Sequence, residues 1–369
     1  MFGSVVSLSM AMTSNTVSQK EAKSVAKKFI ARISATEDFK DWKNAEIGKI
    51  VTAYDVDESR TAYIFELVKD GRYAGYIVVS AKRTNYPILE FSKGKSPLAR
   101  MEELGIKAER VYYLSALVYF FEEKGKYYDL NKKGVDFNRI KEGVRAAMRD
   151  EKVREHLIKR AIEAENQWKV YEVYLDFATP TVLASSNYIH GVPAFLWDDG
   201  CTPTAAAMIL EYWGEHDYPN LNYPDWWYWE DTDYGDGNGY DNPSNEHTDL
   251  TEKLHVAMGT WDWNGYTPPA AVSPGINKVL NDHGYGNWAG DVLYYDWDWN
   301  VNEINSGYPY ILTMWLFNLY GWPHSVTVVG YKVVGSSKYI TVHDTWTTAD
   351  VDIAFGDWLG TSAHRVHPP

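Results

Sequence analysis

The chain has 369 residues, 45% of them hydrophobic, enough for two or three domains with packed cores. Its net charge is -14 and most Lys and Arg lie before residue 170, so no clustered basic surface is present to meet a nucleic-acid backbone. One cysteine excludes an internal disulfide framework and a cysteine-built zinc cluster, and the scattered histidines form no HExxH run for zinc catalysis.

Residues 1–15, MFGSVVSLSMAMTSN, are apolar, rich in small residues and free of acids. They resemble the end of a secretory signal peptide without its basic start, or else a disordered terminus, and the first reading predicts an extracellular or cell-surface protein. No other stretch approaches the ~20 apolar residues that a membrane span needs. Residues 16–100 predict a small α+β unit. Ser18 and Glu21 form a capping box for a helix whose Val25, Phe29, Ile30 and Ile33 share one face. Short β-type runs follow, broken by turn chemistry such as Asp70-Gly71.

Residues 101–177 are expected to be helical. Over 104–124, Val111, Leu114, Leu117, Val118 and Phe121 make a broad apolar face, and 138–176 continue as a long charged helix that Pro180 stops. Residues 178–188 are small and polar and make the best linker and processing site in the chain. From 189 to 369 the texture changes to Trp, Tyr, Asp and Gly, with few helices and long loops expected. Two strands near the end, SVTVVGYKVV and KYITVHD, predict an antiparallel hairpin.

The strongest chemical signal is DDGCTPTAAAMILEYWGEHDYP, residues 198–219. Thr202 to Trp213 predicts a helix, with Pro203 suited to its first turn. Cys201 then stands at the helix N-terminus, where unpaired N–H groups and the macrodipole favour an anion and so a thiolate. A thiolate nucleophile needs a base that later protonates the leaving amine, and His324 opens a strand directly after Pro323. Asp344 ends the next strand, so hairpin pairing brings it near His324 as an orienting group. His343 is a rival base, but its strand position turns it to the opposite face from Asp344.

GCTPTAAAMILEYW, then HSVTVVGY, then VHDTW resemble the papain-like superfamily over residues 186–350. The likeness is closest to bacterial and archaeal peptidases similar to the double-glycine leader peptidases, and it extends to the streptopain family. That resemblance implies an α+β papain-like catalytic domain, with a helical half carrying the nucleophile and a twisted antiparallel sheet. It implies Cys201 as nucleophile, His324 as general base and acid, Asp344 as orienting residue and Trp346 as the aromatic that shields the His–Asp contact. AGYIVVSAKRTNYPILEFSKGKSPL is similar to a streptopain-type propeptide. The implied protein is a secreted zymogen, inhibited by its own N-terminal prodomain and acting on protein or peptide substrates without a required cofactor. One feature departs from the family: AFLWDD, before the cysteine, holds no Gln for the oxyanion, which leaves the Cys201 N–H with a second backbone N–H or the Trp197 indole.

Two features stand outside this scheme. Asp231, Asp233, Asp236, Asn238 and Asp241 lie in a loop whose oxygen density suits calcium, although the spacing is not that of an EF-hand and a plain acidic surface loop fits as well. The runs DWWYWED and YYDWDWN raise the alternative of a carbohydrate-binding protein or glycosidase, with carboxyls drawn from Asp225, Glu230, Asp296 and Asp298. The missing Gln also fits an inactive papain-like binding domain.

Overall fold

The computed structural model describes residues 15–173, 185–198, 200–221, 248–262, 264–315 and 323–369. Helix α1 (Gln19–Ile33) starts on the Ser18–Glu21 capping box and buries Ala22, Val25, Ala26, Phe29, Ile30 and Ile33. It packs on a meander of β1 (Glu46–Tyr54), β2 (Arg60–Lys69), β3 (Arg72–Ser80) and β4 (Ile88–Ser92). Helix α2 (Pro97–Glu103) follows, capped by Ser96 and opened by a proline in its first turn.

The helix expected over 104–124 is a β-hairpin. β5 (Arg110–Ser115) and β6 (Val118–Glu123) pair antiparallel, and β7 (Lys126–Tyr128) adds a third strand. Leu117, at φ +61, makes the tight reversal between β5 and β6. Both faces of this hairpin are covered. Tyr112 and Phe120 pack with Phe137 on one side, while Tyr113, Tyr119 and Phe121 join the main core on the other. A strand buried on both faces reads as a continuous apolar run, which periodicity alone does not distinguish from a buried helix. The charged stretch after it is two helices, α3 (Phe137–Ala147) and α4 (Glu151–Val173). The break falls where the Asp150 carboxylate takes the N–H groups of Lys152 and Val153 at 2.8 and 3.3 Å.

The second half mixes helices and strands more evenly than its sequence texture predicts. β8 (Ser186–Tyr188) is followed by four α-helices among the described residues: α5 (Cys201–Glu215), α6 (Thr248–Met258), α7 (Pro269–Asp282) and α8 (Trp297–Asn305). β9 (Ala289–Val292), β10 (Tyr310–Trp315), β11 (His324–Val334), β12 (Ser337–His343), β13 (Val351–Ala354) and β14 (Gly360–Val366) complete the strands.

One mixed sheet runs through both halves in the order β7-β6-β5-β1-β2-β3-β4-β13-β12-β11-β10-β14-β9, with β8 on β11. The halves meet where β4 pairs antiparallel with β13, Phe91 opposite Asp352 and Glu90 opposite Ile353. Phe91 stands edge-on to Tyr339 at 5.1 Å, and Phe29 lies 6.1 Å from the same ring, so one apolar core spans the junction. The architecture is α+β, with a second half of mixed helices and strands preceded by an N-terminal domain.

Candidate active site

Helix α5 carries the cysteine and β11 carries the histidine. Gly200 precedes the helix at φ +130, and a Cβ there would lie 2.9 Å from the Gly265 carbonyl oxygen and 3.1 Å from Thr260. Only glycine accepts both the conformation and the approach. Cys201 is the first residue of α5 and is buried. Its Sγ accepts the Ser325 N–H at 3.4 Å and lies 4.0 Å from the Pro323 carbonyl oxygen. The thiol thus rests on the backbone flanking His324 on both sides.

Hydroxyls fix this contact. Ser325 Oγ meets Thr202 Oγ1 at 2.7 Å and Thr313 Oγ1 at 2.8 Å, tying the start of α5 to β11 and β10. One step inward, Thr327 Oγ1 donates to the Ala205 carbonyl at 2.9 Å. Ser325 and Thr327 are fully buried and alternate along β11, so the strand's inner face is polar where the helix start meets it. No motif in the sequence marks either. The signal available was the pair of hydroxyl residues at alternate positions, 325 and 327, among valines at the start of the strand.

The His324 ring stacks on the Trp346 indole at 3.8 Å with 7° between planes. Its Nε2 bonds the Asp344 backbone carbonyl at 2.9 Å. That carbonyl, rather than the expected carboxylate, holds the ring. The Asp344 carboxylate instead accepts the N–H groups of Trp346 and Thr347 at 2.9 and 2.8 Å and the Thr347 hydroxyl at 3.3 Å. Thr345, at φ +65, makes the turn that folds this carboxylate back on its own loop. Sγ and the His324 ring share no hydrogen bond among the described residues. His343 faces the other way, bonded to the Pro193 carbonyl at 2.9 Å and the Asp350 carboxylate at 3.1 Å. Trp197 donates its backbone N–H to the Thr345 carbonyl at 2.5 Å, and its ring lies against Gly265.

Burial sets the charges. It pushes the Cys201 thiol up, with the Ser325 N–H opposing it, and pushes His324 down to about 3. Burial also raises Asp344, against the lowering pull of its loop N–H groups. Burial thus favours the neutral form of both groups.

The N-terminal half reaches this loop directly. Arg100 of α2 donates through Nη1 to the Trp346 carbonyl and through Nε to the Leu130 carbonyl at 3.1 Å. Glu90 of β4, fully buried, accepts the Tyr76 hydroxyl at 2.5 Å and the Tyr119 hydroxyl at 3.0 Å. Glu90, Arg100, Asp344 and Trp346 line one small pocket. Glu90 is held up at about 7, chiefly by burial. No sequence motif flagged Arg100 or Glu90, because the loop residues they sit beside, Asp344 and Trp346, lie more than 200 residues further along the chain.

Among the described residues, the other proposed site residues do not converge here. Asp296 is spent as the cap of α8, accepting the Trp299 N–H at 2.9 Å, and Asp298 sits in that helix's first turn. Trp297 packs against Phe355 and Tyr331, and Trp299 against Tyr310, as core fillers. Asp225, Glu230 and the calcium candidates Asp231, Asp233, Asp236, Asn238 and Asp241 lie outside the described residues.

The model of the Peptidase_C39 like family matches residues 184–358, and that of the Spi protease inhibitor family matches residues 14–105. No curated protein matches the chain. The first match points to a cysteine-type peptidase of the C39 kind. The second is compatible with a propeptide, so the two together support a peptidase made with an inhibitor-like N-terminal domain.

Proposed function

We propose that the protein is a papain-like cysteine peptidase, secreted as a proenzyme, that hydrolyses peptide bonds through Cys201, His324 and Asp344. The observation that carries this reading is the seating of the Cys201 sulfur on the backbone around His324, at the start of a buried helix. The cysteine transfers its proton to His324 and the thiolate attacks the peptide carbonyl carbon. The tetrahedral oxyanion takes the Cys201 N–H and a second donor near Trp197. The imidazolium protonates the leaving amine, which departs and leaves a thioester. Water then gives a proton to His324, attacks the thioester carbon and releases the acid and the thiolate. Asp344 orients the ring through its carbonyl, and Trp346 excludes water from that bond.

The protonation states support latency in the full chain. A thiol raised by burial and an imidazole held at about 3 do not exchange a proton readily. Release of the N-terminal half, whose Arg100 bonds the Trp346 carbonyl beside His324, is the event proposed to lift this latency. Protein or peptide substrates follow from the peptidase reading. Among the described residues no helix is long and apolar enough to cross a membrane. The mechanism needs no cofactor.

An epoxide inhibitor of cysteine peptidases tests the assignment. In the processed protein it should add once, at Cys201, and abolish peptide hydrolysis. Hydrolysis that continues after Cys201 is modified would overturn it.

A further inference from the structure

Helix α4 lies between the two matched segments and contacts both halves. Toward the N-terminal domain, Glu163 accepts the Tyr86 hydroxyl at 2.8 Å and Trp168 Nε1 donates to the Asn85 carbonyl at 2.9 Å. Toward the second half, His156 Nε2 meets the Gly356 carbonyl at 3.2 Å and Gln167 accepts the Ser337 hydroxyl at 2.9 Å. Between these, Arg160 Nη1 donates to Asp357 at 3.1 Å.

Asp357 belongs to the second half and is fully buried. Its Oδ1 takes Arg160 and the Asn85 amide, the latter at 2.9 Å, and its Oδ2 takes the Tyr113 hydroxyl at 2.6 Å. Its backbone carbonyl accepts the Ala116 N–H at 3.0 Å. Every one of these donors precedes residue 174. A buried carboxylate whose donors all come from the other half stays seated as long as that half is present. Removing one partner strands a charge away from water, which is the costly way to break such a pair.

We propose that α4 is a strap, pinned on Asp357, that keeps the N-terminal half bound after the linker is cut. Cleavage within 178–188 then leaves a non-covalent complex rather than a free peptidase. Full activity requires a second event that pulls α4 off Asp357. The latency in this statement rests on the peptidase reading; the complex does not.

The test uses the full chain carrying Cys201→Ala and a recognition sequence for an unrelated site-specific protease placed within 178–188. After cutting, the two pieces should co-migrate one-to-one on size exclusion at low micromolar concentration. Adding Arg160→Met should weaken their association about a hundredfold, with Arg160→Lys restoring part of it. Tyr113→Phe, a milder change, should weaken it about tenfold. Pieces of the parent that separate on cutting would overturn the proposal, as would variant pieces that hold as tightly as the parent. The same cut in a chain retaining Cys201 should hydrolyse peptide much more slowly than its Arg160→Met form. Equal hydrolysis while the pieces still co-migrate would refute latency. No hydrolysis from separated pieces would refute the peptidase reading and leave the complex standing.

Discussion

His324 carries the account at the scale of single residues. Its ring is buried, stacked on Trp346 and held by one carbonyl, and burial takes it to about 3 from an ordinary 6.5. The unfolded chain therefore binds this proton between pH 6.5 and 3 while the folded chain does not. The residue's contribution is complete above 6.5 and is lost as pH falls toward 3, by about 1.4 kcal/mol per pH unit. His324→Gln removes that dependence. Urea unfolding of both proteins should show the wild type losing stability relative to the variant on acidification below pH 6.5. A difference that stays constant across that range would contradict the buried neutral imidazole. The placement of Cys201 at a helix start and of His324 at a strand start was legible in the sequence, whereas Ser325, Thr327, Glu90 and Arg100 carried no motif. The bond that holds the ring was not legible either. It comes from a backbone carbonyl, which any residue at 344 supplies, while the left-handed turn at Thr345 directs the Asp344 carboxylate elsewhere.

Strand β4 decides how the halves meet at the scale of elements. It is the edge of the N-terminal meander and pairs with β13, placing Glu90 in a pocket with Arg100 and Asp344. Tyr76 on β3, Tyr119 on β6, Arg100 on α2 and Asp344 beyond β12 all face or act on Glu90. Because burial raises this carboxyl from 4.5 to about 7, the folded state binds its proton more tightly than the unfolded state. Its contribution is complete below pH 4.5 and is lost as pH rises through about 7. Thermal melts should therefore show the wild type losing ground to Glu90→Gln between those limits. Parallel curves would mean that Glu90 does not titrate within the fold. Capping boxes and two-faced strands explain what was legible here. Ser18 and Glu21 announce α1, and the β1–β4 runs carry strand residues between clear turns. The β5–β6 hairpin was hidden because Tyr112 and Phe120 bury one face while Tyr113 and Phe121 bury the other, which erases the period of two. The β4–β13 pairing was equally hidden, since nothing local marks a partner some 260 residues away.

At the scale of the whole molecule, one sheet, one apolar core, the α4 strap and the Arg100 contact join two halves that the family models match separately. The N-terminal half contacts the loop that holds His324 through Arg100, and Cys201, at the start of α5, meets the strand that begins at His324. The likeness in sequence anticipated two units. It did not anticipate that their strands form a continuous sheet. The measurement that bears most directly on this account is hydrolysis of a protein substrate by cut, dissociated chain with and without Cys201→Ala. The account predicts cleavage by the parent, none above background by the variant, and no action of either on polysaccharide. Protein cleavage that survives Cys201→Ala would contradict it.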